Sequence, residues 1–160
     1  TKASAQRQGI TYRSLDYFKA FRKHFMERQQ LATFIIARYE GKPAAAILLT
    51  TYGKNAIYLY GGSSDADRNV YASYLVQWVG MQHAKQAGCT IYNMTGVAHT
   101  DDPKNPWYGL RQFKLKFGPE IVELIGAWDQ VYKPTTYFAF TNADRARRLI
   151  AKTIGKARTQ

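Results

Sequence analysis

The sequence predicts an α/β (α+β) fold with a mixed sheet, and two patterns carry that prediction. Three runs of alternating or β-branched residues, 33–39, 44–52 and 56–60, are separated by short turn sequences, which predicts an antiparallel meander. An amphipathic helix over 68–87 then leads into the short apolar run 90–94. A strand, a long helix and a strand in succession predict a parallel crossover, so the sheet is expected to be mixed.

The first element is predicted to be a helix that begins after Ser14 and ends near Gln29. Serine is a preferred N-cap residue, and Arg13 and Tyr17 lie one turn apart at the helix start. The segment 1–12 ahead of it is expected to be frayed or truncated. The apolar stripe of this helix consists of Leu15, Phe18, Phe21 and Phe25.

The long helix over 68–87 follows the glycine pair 61–62, which permits a sharp exit from the third strand. Ser64 or Asp67 is expected to cap this helix, and Gly88 is expected to stop it. Its apolar stripe, which we expect to face the core, consists of Tyr71, Tyr74, Leu75, Trp78, Val79 and Met81.

A shorter helix is predicted over 106–117, with Asn105 as its cap and Pro106 at its first position. It carries three cations, at Arg111, Lys114 and Lys116. The sequence Gly118-Pro119 stops the helix, and the alternating segment 120–131 predicts a strand.

The end of the chain is predicted to be a basic helix capped by Asn142, with 134–140 either extending the sheet or packing irregularly. One domain is therefore expected over 13–141, with the helix 142–160 packed on it. The cations of this helix include Arg145, Arg147, Arg148 and Lys152.

The net charge of +12 is concentrated at the two ends of the chain. Residues 1–30 and 133–160 each carry seven Lys or Arg, whereas 31–132 has nine against eight acidic residues. Such basic flanks favour a polyanionic partner, which could be nucleic acid, nucleotide phosphates or an anionic membrane surface. The alternative is that the charges only make the surface soluble.

Other features narrow the class of protein. The single Cys89, the lack of a signal-peptide pattern and the lack of an 18-residue apolar run predict a cytoplasmic, soluble protein, with the inner membrane face left open. No metal is expected, because Asp101 and Asp102 have no third ligand nearby and the histidines are scattered.

The element order resembles the GNAT-like N-acyltransferase fold of acetyl-coenzyme A-dependent enzymes. In those enzymes the turn before the long helix cradles the coenzyme pyrophosphate with backbone N–H groups. Here that turn, 61–68, lacks the glycine-containing motif and carries Asp65 and Asp67 where phosphates would lie. No coenzyme A, and no other cofactor, is therefore expected.

Two runs resemble the second acyltransferase-like domain of the FemABX peptidyltransferases. They read IYLYGGSSDADRNVYASYLVQWVGMQHAKQAGCTIYNMTGV at 57–97 and WYGLRQFKLKFGPEIVELIGAWD at 107–129. The resemblance implies transfer of an amino acid from aminoacyl-tRNA to the peptide stem of a peptidoglycan precursor, either UDP-linked or lipid-linked. Family members have two such domains, so it also implies a partner domain absent from this chain and leaves open whether this part is active alone.

The resemblance also implies roles for individual residues. Lys114 matches a lysine thought to stabilise the charge that develops on the ester carbonyl oxygen; Lys116 is the alternative, because this sequence reads FKLKFG where many members read FKKGFG. Arg13, Tyr17 and Tyr60 are similar to positions that line the precursor site. The remaining residues expected around the substrates are Tyr71, Tyr108, Arg111, Phe113 and Lys116 itself. The residues expected to follow the tRNA acceptor arm are Arg145, Arg147, Arg148 and Lys152.

Two other functions stay open from the sequence. One is an N-acyltransferase with another acyl donor, and the other is a non-catalytic RNA-binding module. No Ser-His-Asp or Cys-His arrangement is recognisable, which fits an activated ester as the donor.

Overall fold

The computed structural model describes residues 13–64 and 68–157, without the side chains of Arg68, of residues 148 and 149, and of residues 151–157. The predicted frayed segment 1–12 and the candidate cap Asp67 lie outside the described residues. The chain forms two compact units, Thr1–Pro119 and Glu120–Gln160.

The first unit contains a four-stranded mixed sheet of order β1-β2-β3-β4. The antiparallel meander β1–β2–β3 and the parallel pairing of β3 with β4 are both confirmed. The strands are β1, Ala32–Tyr39; β2, Lys42–Tyr52; β3, Asn55–Ser63; and β4, Ile91–Asn93.

Helix α1 spans Leu15–Phe21 and continues as a π-helical segment over Arg22–Arg28. The predicted cap is confirmed, because Ser14 Oγ accepts a hydrogen bond from the backbone N of Tyr17 at 3.1 Å. Leu15 is 69% exposed, so the apolar stripe predicted for this helix is wrong at its first position. Phe18 and Phe21 pack with Leu48 of β2, and this fixes α1 on one face of the sheet.

Helix α2 spans Ala72–Gln86 and follows a 3₁₀ turn over Arg68–Val70. Its N-cap is Tyr71, with φ of 52° and no capping side chain, so the expected cap at Ser64 is wrong. The expected stop at Gly88 is confirmed. Gly88 has φ of +78° and donates to Lys85 O, which closes the last turn as glycine commonly does.

The buried face of α2 differs from the predicted one. Tyr71, Leu75 and Trp78 are each more than half exposed, whereas the buried residues are mostly small: Ala72, Val76, Gln77, Gly80 and Ala84. A Cβ on Gly80 would lie 2.8 Å from the hydroxyl of Tyr92 and 2.9 Å from Cδ1 of Ile47. Small residues let the helix backbone lie close to the sheet, and the large aromatic stripe therefore faces away from it.

A bulge in β3 places Tyr58 and Tyr60, which are two residues apart, on opposite faces of the sheet. Leu48 pairs with Tyr60 and Leu49 with Tyr58, so the register skips Leu59. Residues two apart in a regular strand share a face, but here Tyr58 packs on the α2 side and Tyr60 on the α1 side.

Helix α3 spans Tyr108–Leu115, two residues shorter than predicted at each end. Asn105 Oδ1 accepts from the backbone N of Trp107 at 2.8 Å, so it caps the turn ahead of the helix instead of the helix itself. Pro106 lies in that turn.

In the second unit, the strand predicted over 120–131 is wrong, because this segment has no regular secondary structure. Its apolar side chains are open to solvent, with Leu124 and Ile125 at 84% and 89% exposure. An alternating pattern provides side chains for a strand but not the backbone partner that a strand needs.

Helix α4 spans Pro134–Ala157. The predicted cap at Asn142 is wrong, because Asn142 lies inside the helix and its Nδ2 donates to Phe138 O at 2.9 Å. Residues 134–140 are helical and do not extend the sheet. Within the described part of the chain, none of the helices is both long and apolar enough to span a membrane.

Candidate active site

Lys114, the predicted catalytic residue, lies on α3 with its side chain almost completely buried, at 2% exposure. Its Nζ donates to the carbonyl of Gly96 at 2.8 Å and to Oγ1 of Thr95 at 3.2 Å. The ammonium also lies 5.9 Å from the ring centroid of Tyr58, within cation–π range. A loop after β4, an aromatic side chain of β3 and the helix thus enclose one cation.

All three of these partners are neutral, and none of the described carboxylates forms an ion pair with Lys114. Burial lowers the pKa of Lys114 below its ordinary value. A buried cation without a counter-ion is costly, so such a site is poorly explained by stability alone. The charge of Lys114 therefore has no neutralising partner among the described residues.

Lys116, the alternative catalytic residue, has a different environment. Its side chain is exposed and its Nζ lies 5.7 Å from the ring centroid of Tyr74. Since it is not desolvated, the field of its charge is screened by water. Lys116 is the C-cap residue of α3, two positions after Lys114, so the two lysines form a matched pair of a buried and an exposed cation.

Two adjacent cavities lie on either side of α3, and Trp107 and Leu110 line both. The first has a volume of about 530 Å³ and reaches Lys114. The second has a volume of about 580 Å³ and collects three of the predicted substrate-binding residues: Tyr71, Phe113 and Lys116. Tyr108, half-buried at the start of α3, lines neither cavity.

Arg111 is held by the loop ahead of α3. Its Nε donates to Asp101 Oδ1 at 2.7 Å and its Nη1 donates to Ala98 O at 2.8 Å. The guanidinium lowers the pKa of the Asp101 carboxyl through this hydrogen bond. Arg111 was expected to bind substrate, and in this structure it fixes the loop that carries Thr95 and Gly96. Among the described residues no cluster of three or more His, Cys, Asp or Glu side chains is placed to hold a metal.

On the opposite face of the sheet, the structure brings Arg13, Tyr17 and Tyr60 together. The hydroxyls of Tyr17 and Tyr60 lie 3.2 Å apart, and the guanidinium of Arg13 lies 5.4 Å from the ring centroid of Tyr17. The hydrogen bond from Tyr17, reinforced by Arg13, lowers the pKa of Tyr60. These three predicted residues thus form one exposed, hydrogen-bonding cluster, called here the tyrosine cluster.

Three residues of the site could not be found from the sequence: Tyr58, Thr95 and Gln77. Gln77 is fully buried; its Oε1 accepts from the hydroxyl of Tyr92 at 2.8 Å, and its Nε2 has no hydrogen-bond partner among the described residues. Burial raises the pKa of both Tyr58 and Tyr92, which keeps these hydroxyls neutral. The one sequence signal for these residues was Gln77, a polar residue within an apolar helix segment.

The predicted tRNA-binding residues lie on α4 in the second unit. Arg147 pairs with Asp144 at 2.8 Å, and Arg145 is exposed. The side chains of Arg148 and Lys152 lie outside the described residues.

Comparison with known proteins gives consistent matches. The model of the FemAB family matches residues 26–145. The chain is 33% identical over 113 residues to a lipid II:glycine glycyltransferase of Staphylococcus saprophyticus, covering 71% of this chain and 27% of that protein. It is 30% identical over 133 residues to the UDP-N-acetylmuramoylpentapeptide-lysine N(6)-alanyltransferase of Weissella viridescens, covering 83% and 38%.

The chain therefore spans between about a quarter and two fifths of the length of these relatives. The fold is that of GNAT N-acetyltransferases. A glucosamine-6-phosphate N-acetyltransferase from Arabidopsis thaliana superposes with a TM-score of 0.55 at 14% identity, covering 82% of this chain and 92% of that one. This likeness confirms the predicted fold class and extends no further.

Proposed function

Because the chain belongs to the FemAB family, we propose that it carries the catalytic part of an aminoacyltransferase that uses aminoacyl-tRNA to extend the peptide stem of a peptidoglycan precursor. The two relatives named above are a glycyltransferase and an alanyltransferase, which supports amino-acid transfer as the reaction class. The charged tRNA as donor follows from the family resemblance. The proposal covers the whole protein to which this chain contributes.

The observation that carries the proposal is the buried ammonium of Lys114 with its neutral partners. When an amine attacks the carbonyl carbon of an aminoacyl ester, a C–N bond forms and the carbonyl oxygen becomes an oxyanion. The C–O bond to the ribose then breaks, and a proton passes from the amine to the leaving oxygen. A fixed cation directed at that oxyanion contributes on the order of 3 kcal/mol of transition-state stabilisation.

In this proposal the tyrosine cluster and helix α4 bind and orient the substrates. Arg13 and the tyrosine hydroxyls of the tyrosine cluster offer one cation and two hydrogen-bonding groups to the precursor, which carries phosphates and peptide carbonyls. The basic helix α4 provides cations for the acceptor arm of the tRNA, and its net charge supports this role. Both substrates place the reaction in the cytoplasm, and a lipid-linked precursor would place it at the inner membrane face.

A donor-exchange assay tests the proposal. The intact protein is mixed with a muropeptide precursor and one of three donors: charged tRNA, the free amino acid with ATP, or an acyl-coenzyme A. We expect an extended peptide stem from charged tRNA only. Transfer from acyl-coenzyme A would favour an N-acyltransferase with another donor, and RNA binding without transfer from any donor would favour a non-catalytic module. Either result would overturn the proposal.

A further inference from the structure

Thr95 has an unusual backbone conformation at the point where it meets Lys114. Its φ is +63°, in the left-handed region that β-branched residues rarely adopt. The neighbouring glycine would tolerate such a φ without strain, yet the positive φ falls on the threonine. Strain of this kind persists only where the surroundings enforce it, and it is commonly found at functional sites.

The hydrogen bonds of Thr95 explain what enforces the conformation. Its backbone N donates to Oδ1 of Asn93, the last residue of β4, at 2.7 Å. Its hydroxyl donates to Met94 O at 2.6 Å. Because a hydroxyl has a single proton, Oγ1 is then available only as an acceptor, and it accepts from Lys114 Nζ at 3.2 Å.

The same turn directs a second acceptor at the lysine, since the carbonyl of Gly96 lies 2.8 Å from Nζ. An ammonium group has three N–H donors, and Thr95 and Gly96 take two of them. The third N–H has no hydrogen-bond acceptor among the described residues, and Lys114 lines the first cavity, from which a substrate oxygen can approach. Two fixed acceptors define the direction of that third N–H, which a flexible lysine could not define by itself.

We propose that Thr95 is the positioning residue of Lys114: its strained turn directs two neutral acceptors at the ammonium and so aims the remaining N–H at the reacting carbonyl oxygen. This rests on the proposed function, since the oxygen belongs to the ester of that reaction. In this proposal the strain at position 95 lowers the stability of the fold, and the same turn fixes the orientation of the Lys114 ammonium.

Three substitutions at Thr95 distinguish the effect of its hydroxyl from the effect of its backbone strain. Thr95→Ser keeps Oγ, Thr95→Val keeps the shape and the strain without Oγ, and Thr95→Gly removes both Oγ and the strain. In the intact protein we expect kcat of the serine variant to stay within about threefold of the parent, and kcat of the other two to fall by roughly tenfold to a hundredfold with KM little changed. Thr100→Val is the control, because Thr100 lies in the same loop and contacts Asp102 instead.

Two readouts on the 160-residue chain do not depend on transfer. An NMR titration of Lys114 should show a lower pKa for the valine variant, because the charged form loses an acceptor, and an unchanged value for the serine variant. The glycine variant should melt at or above the parent temperature, since it relieves the left-handed threonine.

The outcomes distinguish the two proposals. A glycine variant with parental kcat, or a valine variant with the parental Lys114 titration, would overturn the role of Thr95 while leaving the proposed function standing. Full transfer activity in Lys114→Met would overturn the proposed function, whatever the Thr95 variants do. Lower activity together with equal or higher stability in Thr95→Gly is the result that a merely structural threonine would not give.

Discussion

The two faces of the sheet present cations in opposite ways. On the α2 face, Lys114 is 2% exposed and meets only neutral groups. On the α1 face, Arg13 lies in solvent beside the hydroxyls of Tyr17 and Tyr60. Interactions of an exposed charge are weakened by water and salt, whereas those of a desolvated charge are not. The proposed function accordingly uses the buried cation for oxyanion stabilisation and the exposed tyrosine cluster for precursor binding.

A single bulge creates this division. Without the register shift opposite Leu48 and Leu49, Tyr58 and Tyr60 would share a face. With it, Tyr58 lies under Lys114 and Tyr60 joins the tyrosine cluster. One strand of the sheet thus contributes to both environments.

The largest effect is expected from removing the buried charge. Lys114→Met replaces the ammonium with an apolar side chain of similar length, and we expect kcat to fall by about 10²- to 10³-fold. Lys116→Met is the matched control, since Lys116 lies two residues further along the chain, at the C-cap of α3, and is exposed. Its kcat should stay within a few-fold of the parent in the same transfer assay. Equal losses of kcat in the two variants would show that burial does not set Lys114 apart from Lys116.

A smaller effect concerns the packing of α2 against the buried face. Gly80→Ala forces a methyl group against Tyr92 and Ile47, and we expect a loss of about 1–3 kcal/mol in the free energy of unfolding. Gly109→Ala in α3 is the control, because a Cβ there meets no atom within 4 Å. The control should gain about 0.5–1 kcal/mol from helix propensity. Denaturant unfolding measures both, and an alanine at 80 as stable as the parent would contradict the close approach of α2.

The smallest effect is expected on the exposed face. Tyr60→Phe removes a hydroxyl of the tyrosine cluster that is proposed to hydrogen-bond the precursor, and an exposed hydrogen bond contributes about 0.5–1 kcal/mol. We therefore expect KM for the precursor to rise by about two- to fivefold with kcat unchanged. Tyr52→Phe is the control, since Tyr52 is 79% exposed on the same sheet. A large fall in kcat for Tyr60→Phe would show that the exposed face takes part in the chemical step.

The order of the strands and the cap of α1 were predictable because they depend on local signals. Short turn sequences, alternation and Ser14 act within a few residues of chain, and the structure confirms each. The buried face of α2 was not predictable by the same means. Both of its stripes are apolar, and the choice depends on how closely Gly80 lets the helix approach Ile47 and Tyr92.

The candidate site shows the same limit. The family motif pointed to Lys114, but nothing in the sequence reported that Lys114 is buried or that Thr95 and Tyr58 enclose it. Those contacts join residues 19 and 56 positions apart, so no local pattern records them. The wrong strand over 120–131 has a related cause, because an alternating segment becomes a strand only when a partner strand is present.

The most direct test of Lys114 as a charged ammonium is the pH dependence of the kcat ratio between the parent and Lys114→Met. Burial lowers the pKa of Lys114, so the charged form is lost below the pH at which an ordinary lysine titrates. The ratio should therefore fall as the pH rises through that lowered pKa. Over the window from there to the ordinary lysine pKa, the stability of the parent relative to the variant should rise, because the unfolded state then binds more protons. A kcat ratio that rises with pH would show that the neutral amine is the active form and would contradict the role of Lys114 as an oxyanion-stabilising cation.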